Sequence, residues 1–124
     1  MEAAWGNQRA SEINVIKVRG NLELLTAEQL DEVIASVVHS KVCNIIVDLQ
    51  DVVYVSSKGW GVFLSKIKEI RETGGDLVLT AMRPEVHEVF RLLEFDMFLK
   101  SYPTIFDAAN NFDIAESSKE RLES

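Results

Sequence analysis

Two adjacent serines, Ser56 and Ser57, close the apolar run Val52-Val53-Tyr54-Val55, and Lys58-Gly59-Trp60-Gly61-Val62-Phe63-Leu64 follows them. The β-branched stretch before the serines has strand character. Trp60, Phe63, Leu64 and Ile67 then recur at helical spacing. The serines therefore stand at a strand-to-helix junction. A hydroxyl in that place has three chemical uses. It can cap the helix, carry a phosphate against the helix's unpaired N–H groups, or serve as a nucleophile.

The nucleophile requires partners. A nucleophile elbow needs glycine two residues before and two after the serine, followed by an acid and a histidine. Tyr54 and Val55 occupy the preceding positions, and His87 is the only histidine downstream, predicted on the polar face of its helix. A catalytic triad is thereby disfavoured, and no enzymatic activity is expected. Gly59-Trp60-Gly61 does not complete a phosphate-binding loop, since the Gly-x-x-x-x-Gly-Lys-Ser/Thr pattern is absent. The dinucleotide fingerprint fails as well, because Phe63 and Leu64 stand where its third glycine belongs. His39, His87 and the lone Cys43 show no metal-ligand spacing, so neither metal nor cofactor is expected. The remaining carboxylates are scattered over predicted helix faces and are read as solubilising charge. Capping and phosphate carriage remain open. The small Gly59 and Gly61 would let another chain approach closely, and Trp60 would pack inward or face a partner.

The elements that must hold this junction can be traced outward from it. Upstream, Val42–Leu49 is a nearly unbroken β-branched run, the pattern of a central strand covered on both faces. Cys43 within it reads as a small buried hydrophobe. Before that, Ile13–Val18 reads as a strand ended by Gly20-Asn21. Thr26 is the expected N-cap of a helix over Ala27–Val38, with Leu30, Val33, Ile34, Val37 and Val38 on one face. Downstream, the helix opening near Gly59 carries Ser65, Lys66, Lys68, Glu69 and Glu72 on its polar side and stops at Gly74-Gly75. Leu77-Val78-Leu79 is a further buried strand. Pro84 opens a helix with Val86, Val89, Phe90 and Leu93 on its apolar side. Phe95, Met97, Phe98 and Leu99 suggest a last short strand, and Thr104 caps a final helix from Ile105. Alternating strands and helices imply an α/β domain with parallel strands joined by right-handed crossovers.

The whole chain is consistent with that plan. Its 124 residues are one domain's worth, and 47% hydrophobic content supplies a core. Residues 1–12 read as an N-terminal arm or edge strand, 13–112 as the domain, and 113–124 as a charged extension. A formal net charge of −7 disfavours nucleic acid and anionic membrane as partners. No apolar run approaches the ~20 residues of a membrane helix. Met1–Ala10 lacks the features of a secretory signal, and the single cysteine fits a cytoplasmic address.

Several of these segments together resemble the STAS domain, the domain of bacterial anti-sigma factor antagonists, also found on sulphate transporters. Asp48-Leu49 followed by Tyr54–Leu64 is similar to its signature Asp-Ser/Thr-Ser/Thr-Gly-Leu-Gly and apolar helix. Gly20-Asn21-Leu22-Glu23 resembles its Gly-x-Leu-Asp turn, Gly74–Leu79 its next turn and strand, and Leu92–Asp96 the apolar pair before its last strand. The resemblance covers about residues 13–112. It implies a mixed, mostly parallel sheet of four to five strands with about four helices. It places Ser57 on the family's phosphoacceptor, with Ser56 as the alternative. Ser56 replaces the usual aspartate, Lys58 the following hydroxyl residue, and Trp60 the usual leucine. The implied function is partner switching. Unmodified protein binds an anti-sigma factor of the GHKL serine-kinase type through Ser56, Ser57, Lys58, Gly59, Trp60 and Gly61, and a metal-dependent serine phosphatase reverses the modification. The other open reading is a docking module in a signalling complex that is never phosphorylated.

Overall fold

Four strands lie parallel in chain order, and a fifth runs antiparallel along one edge. In the computed structural model, which describes residues 2–5, 13–38 and 43–112, these are β1 (Glu2–Trp5), β2 (Ile13–Arg19), β3 (Asn44–Asp51), β4 (Asp76–Thr80) and β5 (Lys100–Tyr102). The sheet order is β1-β2-β3-β4-β5. Only the β1–β2 pair is antiparallel, with Ala4 opposite Val15. The parallel pairs place Ile16 beside Val47, Ile46 beside Val78, and Leu79 beside Ser101. The expected extension over 113–124 lies outside the described residues, as do Val42 and His39.

Each parallel step needs a crossover, and helices supply three of them: α1 (Leu24–Val37), α2 (Ser57–Glu72) and α3 (Pro84–Leu92). A fourth helix, α4, spans residues 105–112. Right-handed crossovers between strands taken in chain order put their helices on one face of the sheet. The packing follows that rule. Ile16, Val18, Ile45, Val47, Leu49, Leu77 and Leu79 share a core with Leu30 and Ile34 of α1, Phe63, Ile67 and Ile70 of α2, and Phe90 of α3. The opposite face, with Ile13, Ile46 and Val78, is covered by Ala108 of α4 and its neighbours Ile105, Ala109 and Phe112. β3 is therefore buried on both sides, which is why its apolar run has no polar alternation. Each such large apolar side chain contributes about 1.5–3 kcal/mol by leaving water.

Five local expectations change. α1 starts at Leu24, three residues before Ala27. Thr26 lies inside the first turn, where its hydroxyl accepts the Glu23 N–H at 2.9 Å and donates to the Asn21 carbonyl at 2.6 Å. Thr26 is thus the N3 member of a capping box whose N-cap is Glu23. β3 begins at Asn44, so Cys43 precedes the strand, although it is buried as expected. Lys66 is not on the solvent side of α2. Its side chain is only 11% exposed, and its ammonium lies 3.4 Å from both Asp31 of α1 and Glu69. Phe95–Met97 forms a single 3-10 turn rather than a strand. Glu94 turns the chain left-handed at φ 59°, and Phe98 and Leu99 both donate to the Phe95 carbonyl. Leu99 plugs the core, and the last strand follows at Lys100. Finally, on α3, Val86 and Phe90 are buried, whereas Val89 and Leu93 face outward.

Candidate functional site

The loop between β3 and α2 is stitched to the loop between β2 and α1. Leu22 and Val55 form an isolated parallel bridge. Leu22 N–H donates to the Tyr54 carbonyl at 3.0 Å, and Ser56 N–H donates to the Leu22 carbonyl at 2.8 Å. Val53 N–H donates to Asn21 Oδ1 at 3.1 Å. These bonds extend the sheet by one residue on each side and hold the chain extended up to Ser56.

Ser56 then takes the N-cap conformation, with φ −75° and ψ 171°. Its Oγ accepts the Gly59 N–H at 3.2 Å, and its carbonyl accepts the Trp60 N–H at 3.0 Å. Its hydroxyl oxygen and its carbonyl are both committed to starting α2. Gly59 is required by space. A Cβ there would meet Val55 Cγ1 at 2.7 Å and Leu22 Cβ at 3.1 Å. Trp60 is 4% exposed and lies among Phe95, Phe63 and Phe90, with ring centroids 5.0, 6.1 and 6.1 Å away. The start of α2 is thus pinned from below by an aromatic cluster.

Ser57 is the first residue of α2, and it is exposed, as are Lys58 and Gly61. Together with Val62 and Ser65 they form one wall of a groove of about 570 Å³, whose other wall is Glu28, Asp31 and Glu32 of α1. Of the six residues expected at a partner surface, Ser57, Lys58 and Gly61 are exposed along this groove. Ser56 is half-buried at the junction. Gly59 and Trp60 are a correction: both are buried, so they support the surface from beneath and do not form it.

The acids on α1 were not visible as part of a site. Their spacing at positions 28, 31 and 32 does mark one helical face. Only the packing of α1 against α2 sets that face opposite Ser57. Four large apolar side chains also stand exposed beside the junction: Leu24 and Leu25 at the start of α1, and Val53 and Tyr54 in the stitched loop. The first turn of α2 contains no acidic residue, so the positive end of the helix, with Lys58 on it, is uncompensated within its own turn. Among the described residues no group of three or more His, Cys, Asp and Glu side chains is placed to hold a metal ion. Nor is any helix there long and apolar enough to cross a membrane. Cys43 is no thiolate nucleophile: burial pushes its thiol pKa up, and its S–H faces the Val37 carbonyl at 3.3 Å.

Comparison with known proteins agrees with this geometry. The family model of the STAS domain matches residues 5–108. The Bordetella bronchiseptica protein BtrV, assigned as an anti-sigma factor antagonist, is 31% identical over 101 residues, covering 82% of this chain and 81% of its own. Among solved structures, a Thermotoga maritima protein with the same assignment aligns with TM-score 0.71 at 24% identity, covering 80% of this chain and 86% of that one. The phosphorylated form of the Bacillus cell fate determinant SpoIIAA aligns with TM-score 0.63 at 21% identity, covering 88% of this chain and 99% of that one. Strand order, stitched serine junction and family match therefore converge: the chain belongs to the STAS domain family.

Proposed function

We propose that this protein is an anti-sigma factor antagonist whose binding is controlled by phosphorylation of Ser57. The observation that carries the proposal is the division of labour at the junction. The Ser56 hydroxyl is engaged in the helix cap, and the Ser57 hydroxyl next to it is exposed at the first helical position. The similarity to BtrV over four-fifths of both chains supports the general role.

In this reading the unmodified protein docks on an anti-sigma factor of the GHKL serine-kinase type, which frees the sigma factor in the cytoplasm. The partner then uses ATP. Ser57 Oγ attacks the γ-phosphorus and a new O–P bond forms. The bond to the departing ADP oxygen breaks, and the serine proton passes to a base of the kinase. A metal-dependent phosphatase reverses the step by water attack, releasing inorganic phosphate. The phosphate brings about −1.5 to −2 charges. The free protein can hold it, because the first turn of α2 offers unpaired N–H groups and has no acid of its own. In the complex the same dianion must lose its water and face the anionic nucleotide of the kinase. Like-charge juxtaposition of that kind costs several kcal/mol, and each ~1.4 kcal/mol is tenfold in affinity. Lys58 offsets little of it, since an exposed pair is worth only about 0–1 kcal/mol.

A binding assay with the cognate kinase tests this. Ser57→Asp is expected to weaken capture strongly, and Ser57→Ala to retain it. Undiminished capture of Ser57→Asp would favour the docking module that phosphate does not control.

A further inference from the structure

Two features beside Ser57 belong to neither the cap nor the phosphate. On α1, Glu28 and Glu32 lie in the groove wall with no ion-pair partner among the described residues, next to Asp31, which is held by Lys66. At the mouth of the junction, Leu24, Leu25, Val53 and Tyr54 are each about half exposed or more. These four side chains do not hang on loose loops. The segments that carry them are cross-linked by the Leu22–Tyr54, Ser56–Leu22 and Val53–Asn21 hydrogen bonds. Exposed apolar side chains on stitched segments, beside the start of the helix that carries the groove acids, are costly to leave bare and need no induced folding to be used.

The geometry points to one occupant: a positively charged, amphipathic segment of a protein partner, with apolar side chains on the Leu24, Leu25, Val53 and Tyr54 rim and Arg or Lys side chains against Glu28 and Glu32. Charge complementarity decides among occupants. A second copy of this chain carries the same net −7 and would bring acid to acid. An anionic lipid surface is excluded for the same reason. The inference deepens the proposed function, because it assigns the affinity of the unmodified complex to this rim and groove and leaves Ser57 as the switch beside them. The cationic contact lies on the α1 wall and the partner's nucleotide over Ser57, so attraction in the first place and repulsion in the second coexist.

The test uses the full chain and a pair of short helical peptides. Both carry leucine at i, i+3, i+4 and i+7. One has arginine on the flanks, the other glutamate. Amide chemical shifts are followed by NMR during titration. The arginine peptide is expected to bind at least about tenfold more tightly than the glutamate peptide, to perturb Leu25, Glu28, Glu32 and Val53, and to weaken as salt is raised. Glu28→Gln with Glu32→Gln should abolish the preference without changing the melting temperature. Leu25→Ser with Val53→Ser should weaken both peptides. Equal affinity for the two peptides, shifts centred instead on the exposed Leu92 and Met97, or concentration-dependent pairing of the free chain through the rim would each overturn the inference. Phosphate incorporation at Ser57 is read separately, by mass spectrometry with the kinase and ATP and without either peptide. Failure of phosphorylation at Ser57 would thus be distinguishable from failure of the rim and groove.

Discussion

The Ser56 Oγ accepts the Gly59 N–H at 3.2 Å, and this one bond separates the roles of two neighbouring serines. Ser56 holds the helix start, and Ser57 stands exposed at the first helical position. Substitution should therefore have opposite consequences at the two positions. Ser56→Ala is expected to cost about 1 kcal/mol of stability, the usual loss for a serine cap. Ser57→Ala should stay within about 0.5 kcal/mol. Urea unfolding of both variants checks the order, and a larger loss for Ser57→Ala would refute it.

The two glycines of α2's first turns should also part company. Gly59→Ala drives a methyl into Val55 and Leu22 and should destabilise by about 1–3 kcal/mol. Gly61 has nothing within 4 Å of the corresponding position. Gly61→Ala should then stabilise, by up to about 1 kcal/mol, because alanine is the better helix former. Thermal melts of the two variants read the difference in sign.

Lys66 and Asp31 form a polar link between α1 and α2 that ends beside the groove. Removing the carboxylate leaves a mostly buried ammonium with Glu69 alone, whereas removing the ammonium leaves only half-exposed acids. Asp31→Asn is thus expected to cost more than Lys66→Met, which keeps the packed methylene stem. Equal losses in denaturant titrations would show that the link is packing and not charge.

Cys43 gives the fold a small alkaline sensitivity. Its folded-state pKa is raised above the ordinary 9.0 by burial, so the folded protein keeps a proton that the unfolded chain gives up. The corresponding stability is fully present below 9.0 and is lost as pH rises from there through the folded-state value. Comparing unfolding free energies of the parent and Cys43→Ala across that range isolates the effect. The gap between them should change with pH, and a constant gap would contradict the assignment.

Much of this was legible in the residues because it rests on local patterns. The nearly unbroken run ending in Leu49 predicted a strand covered on both faces. Pro84 marked the start of α3, and the glycines at 74 and 75 marked the end of α2. What was missed depends on distant contacts. Lys66 looked like solvent-facing charge until Asp31 of a different helix neutralised it. Thr26 had the right chemistry for a cap, but it closes the turn from three residues inside. The apolar cluster Phe95–Leu99 has strand composition, yet the left-handed Glu94 sends it into a 3-10 turn. Trp60 is ambiguous from sequence, since a large apolar side chain suits a surface contact as well as a core. Phe95 and Phe90, brought over α2 by the last crossover, decide it. The Glu28 and Glu32 wall has a readable helical spacing, but nothing local says that it faces Ser57.

The most direct measurement is mass spectrometry of the full chain after incubation with ATP and the proposed partner, an anti-sigma factor of the serine-kinase type, run on the parent, Ser57→Ala and Ser56→Ala, with complex formation followed in the same samples. The account predicts a single phosphate on the parent and on Ser56→Ala, none on Ser57→Ala, and loss of the complex in step with modification. A phosphate that persists in Ser57→Ala, or a parent that is modified and stays bound, would contradict it.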